Sequence, residues 1–242
     1  MKLKVLWMYH DVMDLYGDKG NMRVLEKRCA DRGIELTIDT CGVGETKLIS
    51  EYDILFIGGG ADKEQNYICK DLISRKEEIL DALNKGTFVL LICGGYQSFG
   101  KYYIDSNKQK MDGLGIFEYY TESNDKGRCT GNIAIEANLD GKKVKIVGFE
   151  NHGGQTYGVK TPLGKVLSGH GNTYKSEFEG FYSGNVLGTY IHGPLFPKNP
   201  EICDFVITKG LKRKYGNVEL KSLDDTLESK AKEVMLKKLQ VL

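Results

Sequence analysis

The chain has 242 residues, enough for one large domain or two small ones, and its 34 Lys and Arg against 33 Asp and Glu give a net charge of +1. This balance argues against a general nucleic-acid-binding protein, which usually carries a basic excess. Hydrophobic residues make up 40% and charged residues 28%, so the composition is that of an ordinary globular protein able to bury a core.

The start of the chain has only a short apolar run and no small-residue cleavage site, so we expect no signal peptide. No stretch reaches the roughly 18 consecutive apolar residues that a membrane span requires. The cysteines are scattered, without a C-x-x-C pair or other zinc spacing, which predicts no metal site and favours a reduced, cytoplasmic protein. They are Cys29, Cys41, Cys69, Cys93, Cys129 and Cys203.

Apolar runs and helically spaced apolar residues alternate through the first part of the chain. The predicted strands are 3–9, 34–38, 53–57 and 87–92, and the predicted helices are 22–31 and 68–83. Because the last two strands are apolar on both faces, helices must cover both sides of their sheet. We therefore expect an α/β fold with a mostly parallel central sheet flanked by helices.

The pattern changes after about residue 110, where short β-like runs at 131–137, 144–149 and 186–191 are separated by turns rich in Gly and Asn. A further helix is expected at 204–214. Ser222 and Asp225 have the spacing of a capping box, which predicts the start of a C-terminal helix. We find no linker or repeat, so residues 1–242 are interpreted as a single domain.

The segment 95–101 comes close to the pattern of a phosphate-binding loop. The position after Lys101, where such a loop needs a Ser or Thr hydroxyl for Mg²⁺, is Tyr102. A bulky phenol cannot replace that hydroxyl, so ATP binding is not expected here.

Cys93 lies at the end of a predicted apolar strand and is followed by Gly94 and Gly95 at the start of a predicted helix. A strand, a nucleophile and a helix in this order, with small neighbours, form the tight turn called a nucleophile elbow. The helix N-terminus favours the thiolate, which is the nucleophilic form. The N–H groups of Gly94 and of Gly59, at the end of another strand, are candidate donors to an oxyanion. An isolated cysteine would instead be interpreted as a small buried hydrophobic residue.

A thiolate nucleophile needs a group that moves protons, and the chain has four histidines. His192 is the best candidate because it follows an apolar strand, as Cys93 does. His152 is better explained as a residue that orders a turn. No carboxylate follows His192 closely, and Glu150 or Asp18 could reach it only through the fold.

Three motifs together resemble those of the CobB/CobQ-type class I glutamine amidotransferase family: CGGYQ at 93–97, FENHGGQT at 149–156 and GTYIHGP at 188–194. The segment YGDKGNM at 16–22 narrows the resemblance to members whose ammonia amidates a peptidoglycan precursor. The similarity spans nearly the whole chain. It implies a single class I glutaminase-like domain of α/β fold.

The resemblance also implies a role for particular residues. Cys93 would attack the γ-amide of L-glutamine, and His192 would act as base and acid. Gly59 and Gly94 would form the oxyanion hole. Arg128 would hold the substrate, which agrees with the ability of a guanidinium to bind an α-carboxylate through two hydrogen bonds.

Two positions depart from the general class I pattern. Leu91 stands two residues before Cys93, where the general elbow has glycine, and CobB/CobQ-like members tolerate this change. Pro194 stands where common class I enzymes have a glutamate after the histidine. The second departure implies a Cys–His dyad, or an acid from elsewhere in the chain.

The implied activity is the ammonia-releasing half of a two-protein amidotransferase. L-Glutamine would be hydrolysed on this chain without a cofactor. A Mur-ligase-like synthetase subunit, carrying ATP and Mg²⁺, would use the ammonia to amidate the D-glutamate of lipid II within a heterodimer. Three alternatives stay open at this point: a glutaminase for another ATP-dependent amidation such as that of a cobyrinate-type substrate, a stand-alone γ-glutamyl thiol hydrolase, and a silent binding module on the same fold.

Overall fold

The computed structural model describes residues 1–123 and 127–242. In its first part, strands and helices alternate as the sequence predicts. The strands are β1 (Lys2–Met8), β2 (Glu35–Cys41), β3 (Ile54–Ile57) and β4 (Phe88–Ile92). The helices are α1 (Lys19–Ala30), α2 (Asp62–Ser74), α3 (Lys76–Asn84) and α4 (Gly94–Ser98).

The rest of the chain is dominated by short strands and ends in three helices. The strands are β5 (Tyr102–Ile104), β6 (Lys110–Asp112), β7 (Tyr120–Ser123), β8 (Cys129–Leu139), β9 (Lys142–His152), β10 (Gly154–Tyr157), β11 (Gly164–Ser168), β12 (Phe178–Glu179), β13 (Phe181–Ser183) and β14 (Val186–Thr189). The helices are α5 (Leu195–Lys198), α6 (Pro200–Tyr215) and α7 (Thr226–Lys238).

The central sheet has six strands in the order β13-β14-β4-β3-β1-β2. All neighbouring pairs are parallel except β13 with β14, which is antiparallel. Every residue of β3, β4 and β14 is buried, as expected of strands covered on both faces. The mixed α/β fold with a mostly parallel central sheet is therefore confirmed.

The position of β14 beside β4 in the central sheet brings two distant segments of the chain together. Thr189, the last residue of β14, pairs with Ile92, the last residue of β4. Because the two strands are parallel and in this register, the segments that follow them leave the sheet at the same edge. Ligands of open parallel sheets bind at this carboxyl edge.

Two further four-stranded sheets, in the orders β10-β7-β5-β6 and β12-β11-β8-β9, pack around the central one. The largest pairing is the antiparallel hairpin of β8 with β9, in register from Cys129 with His152 to Leu139 with Lys142. One buried apolar core continues from the central sheet into this hairpin, where it includes Ile133 and Ile146.

Besides small shifts at the ends of several elements, three larger differences from the sequence predictions occur. The helix predicted at 68–83 is two helices that meet at Arg75, whose backbone leaves the helical region and whose guanidinium is bound to Asp71. The predicted capping box does not form, since α7 begins at Thr226 and the Asp225 carboxylate accepts hydrogen bonds from Arg28. The last predicted strand is shorter and ends at Thr189.

None of the helices in the described part of the chain is both long and apolar enough to cross a membrane.

Candidate active site

Cys93 occupies a strained turn between β4 and α4. Its backbone has φ 48° and ψ −103°, a combination that side-chain-bearing residues rarely adopt and that costs of order 1–3 kcal/mol. Its N–H donates to Thr189 O at 2.8 Å, and its carbonyl accepts from Gln97 N–H at 2.9 Å. A side chain at Gly95 would place Cβ 2.7 Å from Ile57 O, so the turn requires glycine there. The strand, nucleophile and helix geometry predicted for an elbow is present.

The two candidate oxyanion donors differ in the structure. Gly94 is the first residue of α4, so its N–H has no acceptor within the helix. The N–H of Gly59 instead donates to Asp18 Oδ2 at 2.7 Å. The expectation that Gly59 offers a free donor is therefore corrected, because a buried carboxylate already occupies that N–H.

His192 lies beyond β14 and is held by its backbone. Its N–H donates to Phe149 O at 2.7 Å and its carbonyl accepts from Phe149 N–H at 3.1 Å, which joins it to β9. The side chain is completely buried. A Cβ built on Gly59 would lie 2.8 Å from His192 Cε1 and 3.3 Å from Cys93 Cβ. The structure thus brings Cys93 and His192 together around Gly59.

Asp18 is the acid that sequence reasoning did not assign. Its Oδ1 lies 3.4 Å from His192 Nδ1, an ion-pair distance without the alignment of a hydrogen bond, and both side chains are fully buried. Glu150, the other candidate, accepts hydrogen bonds from the N–H groups of His170 and Gly171. Asp18 therefore takes the position of a third member beside Cys93 and His192.

The electrostatics of this cluster favour a charged imidazole. Burial by itself lowers the pKa of His192, but its interactions with Cys93 and Asp18 outweigh that effect and raise the pKa to about 10. The surroundings of His192 therefore favour its protonated form. A protonated imidazole is the counter-ion that a thiolate nucleophile needs, and it can give its proton to a leaving amine.

The packing of the segment YGDKGNM accounts for Asp18 reaching His192. A Cβ on Gly20 would lie 2.5 Å from Pro194 Cγ, so glycine lets α1 approach the turn after His192 closely. Asn21 Oδ1 accepts a hydrogen bond from Phe196 N–H at 2.9 Å. The motif was visible in the sequence, but its contact with the histidine loop was not.

A cleft of about 570 Å³ opens in front of Cys93. Arg128 and Asn151 lie on its wall, and Gln97 and His152 also line it. Arg128 is exposed, and its Nε and Nη2 donate to the side chain and the backbone carbonyl of Asn151. The volume is in the usual range of small-molecule sites. Cys93 and Arg128 thus share one cleft, as the sequence-based roles require.

His152 is held in place by its neighbours in the fold. Its ring stacks on Tyr190 with centroids 3.6 Å apart, and its Nδ1 donates to Gly154 O at 2.7 Å. This arrangement agrees with the expectation that it orders a turn. Across residues 1–123 and 127–242, no group of three or more His, Cys, Asp or Glu side chains is arranged to hold a metal ion.

Gly59→Ala provides a direct test of the crowding at the site. The new Cβ would lie 2.8 Å from His192 Cε1, so the imidazole must move away from Cys93. We expect the rate of the reaction at Cys93 to fall about 10²-fold, the cost of a displacement of about 1 Å at reacting groups. Steady-state kinetics measure this. In the control Gly42→Ala the Cβ meets nothing closer than 3.7 Å, and an equal loss there would contradict the interpretation.

Comparison with known proteins agrees with the geometry. The model of the CobB/CobQ-like glutamine amidotransferase domain matches residues 4–200. The lipid II isoglutaminyl synthase (glutamine-hydrolyzing) subunit GatD of Staphylococcus aureus (strain N315) is 42% identical, over 96% of this chain and 95% of that protein. The subunit of the same name from Streptococcus pneumoniae (strain ATCC BAA-255 / R6) is 35% identical, over 96% and 90%.

A more distant relative is a probable cobyric acid synthase of Methanocaldococcus jannaschii, which is 34% identical over 72% of this chain and 38% of that protein. Among solved structures, a glutamine amidotransferase has a TM-score of 0.56 at 15% identity, over 85% of this chain and 98% of that one. The glutaminase domain of Trypanosoma brucei CTPS with bound acivicin has a TM-score of 0.53 at 9% identity, over 90% and 95%. These structures share the fold.

Proposed function

The chain belongs to the CobB/CobQ-like glutamine amidotransferase family, and from this premise we propose that it releases ammonia from L-glutamine at Cys93 for the amidation of lipid II by a partner subunit. The observation that carries the proposal is the buried cluster of Cys93, His192 and Asp18, in which Cys93 lines the same cleft as Arg128. This arrangement supplies a nucleophile, a proton carrier and a carboxylate-binding group.

The proposed reaction proceeds through a thioester. Cys93 Sγ attacks the γ-carbonyl carbon of glutamine, and the N–H of Gly94 stabilises the negative charge that develops on the oxygen. His192 gives its proton to the departing nitrogen, which leaves as ammonia when the C–N bond breaks. Neutral His192 then takes a proton from a water molecule that attacks the thioester, and glutamate leaves as the C–S bond breaks.

The second half of the proposed reaction takes place on another protein. A Mur-ligase-like synthetase subunit would activate the D-glutamate carboxyl of lipid II with ATP and Mg²⁺ and accept the ammonia. The names of the staphylococcal and streptococcal relatives, each a subunit of a lipid II isoglutaminyl synthase, support this choice. We place the reaction in the cytoplasm, where the six free cysteines would stay reduced.

Replacing Arg128 with Ala tests the glutamine-binding role. Because a charged hydrogen-bonded contact contributes about 1.5–3 kcal/mol, we expect the KM for glutamine to rise about 30-fold with a smaller change in kcat. Amidation of lipid II by the reconstituted complex, followed by mass analysis, should fall with glutamine and persist with free ammonia. An equal fall with both nitrogen sources would contradict the role.

The same assay separates the alternatives. The complex that co-purifies with this chain could amidate a cobyrinate-type substrate but not lipid II. That result would favour a glutaminase that serves a cobyrinate-type synthetase. The 34% identity to a probable cobyric acid synthase makes this test necessary. Hydrolysis of γ-glutamyl peptides without any partner would favour a stand-alone thiol hydrolase. A wild-type protein whose Cys93 is not labelled by a glutamine-like electrophile would favour a silent binding module.

A further inference from the structure

Tyr16 covers the buried imidazole of His192. Its ring meets the His192 ring edge-on, with centroids 5.1 Å apart, and also contacts Phe149. Tyr16 is 39% exposed and lines the cleft, so a partly exposed ring packs against the buried imidazole. Its backbone has φ 59° and ψ 25°, a left-handed conformation that is uncommon for a residue with a side chain.

The hydroxyl of Tyr16 is linked to Arg128 through one residue, Asn151. Asn151 Nδ2 donates to Tyr16 Oη at 2.5 Å. Asn151 Oδ1 accepts from Arg128 Nε, and the Asn151 backbone carbonyl accepts from Arg128 Nη2 at 3.1 Å. Both polar ends of the Asn151 side chain are therefore used: Nδ2 binds the tyrosine, and Oδ1 accepts from the arginine and from the Thr130 hydroxyl.

These contacts leave part of the arginine available. Within residues 1–123 and 127–242, nothing accepts a hydrogen bond from Arg128 Nη1, although Nε and Nη2 are both held by Asn151. A guanidinium fixed along one edge presents its remaining N–H groups in a defined direction. Its side chain lines the same cleft as Cys93, where a bound amino acid would lie.

We propose that Asn151 and Tyr16 are positioning residues for glutamine hydrolysis. Asn151 orients the Arg128 guanidinium toward the α-carboxylate of the substrate and also holds Tyr16 closed over His192. Capture of the carboxylate and shielding of the proton carrier thereby depend on one side chain. The inference rests on the proposed role of Arg128 in binding glutamine.

The test compares two reagents that alkylate Cys93. The first, 6-diazo-5-oxo-L-norleucine, carries the α-amino and α-carboxylate groups of glutamine, and the second, iodoacetamide, carries neither. We expect Asn151→Ala to slow labelling by the first reagent about tenfold more than labelling by the second. Tyr16→Phe keeps the ring but removes the hydroxyl, so it should slow the first reagent about threefold.

Thr130→Val is the matched control, because the Thr130 hydroxyl also donates to Asn151 Oδ1, at 3.3 Å, from an exposed position. It should label like the wild type with both reagents. The inference would be overturned if Asn151→Ala were labelled by the norleucine reagent at the wild-type rate. It would also be overturned if labelling of this variant were slowed equally with both reagents. A wild-type protein that reacts with iodoacetamide but not with the glutamine-like reagent would instead refute the proposed function itself.

Discussion

Replacing Cys93 with Ala or Gly should abolish glutamine hydrolysis, and the glycine variant should be the more stable protein. Loss of the nucleophile removes the thioester route, for which we expect a fall in rate of about 10⁴-fold or more. At φ 48° and ψ −103° a Cβ is strained, and glycine relieves that strain. We expect Cys93→Gly to exceed Cys93→Ala by about 1 kcal/mol in the free energy of unfolding.

Denaturant unfolding of matched pairs measures this difference. Cys203 is fully buried within α6, an ordinary helix, where glycine should be less stable than alanine by about 1 kcal/mol. The order of the Ala and Gly variants should therefore reverse between the two positions. If Cys93→Gly were also the less stable of its pair, the elbow would store no backbone strain.

Asp18→Asn should lower kcat about 10³-fold and change its pH dependence. Burial lowers the pKa of His192, whereas Cys93 raises it, and these are the two largest effects. The Asp18 carboxylate raises this pKa further, and the result is a pKa of about 10. Hydrolysis that needs a protonated His192 persists below that pH and is lost above it. An amide carries no charge to stabilise the imidazolium and can present its NH₂ to Nδ1, which misorients the ring.

The measurement is the pH profile of kcat. In Asp18→Asn the alkaline limb should move to lower pH, toward the ordinary value of 6.5, because the variant releases the His192 proton more easily. Glu150→Gln is the comparison, since Glu150 binds the N–H groups of His170 and Gly171 and should leave the limb in place. A limb that moves equally in both variants would rule out a specific pairing of Asp18 with His192.

Most of the central sheet could be predicted because its signals are local. The runs of β3 and β4 are apolar at every position, and only a parallel sheet covered on both faces buries such strands. The break at Arg75 could not be predicted in the same way. The helical spacing of apolar residues continues across Arg75. The first helix ends where the Arg75 side chain donates hydrogen bonds to Asp71 and to the backbone carbonyl of Glu45.

The candidate site shows the same contrast between residues with local sequence signals and residues placed by contacts between distant segments. Cys93 could be singled out from its strand and its two following glycines, and His192 from the apolar strand before it. The role of the carboxylates could not, because nothing in their spacing distinguishes Asp18 from Glu150. Gly59 lies beside Cys93 in the structure, but its N–H donates to Asp18, which is distant from it in the sequence.

The sequence by itself determined the α/β alternation and the tight turn at Cys93, and it made His192 a candidate, since each of these depends on residues within one strand or turn. The tertiary structure decided which residues surround them. Parallel pairing of β14 with β4 brings His192 to the edge of the sheet where Cys93 lies. Packing of α1 against the turn after His192 then places Asp18 3.4 Å from the imidazole. Such contacts arise from strand order and helix packing between distant segments, which a local pattern does not encode.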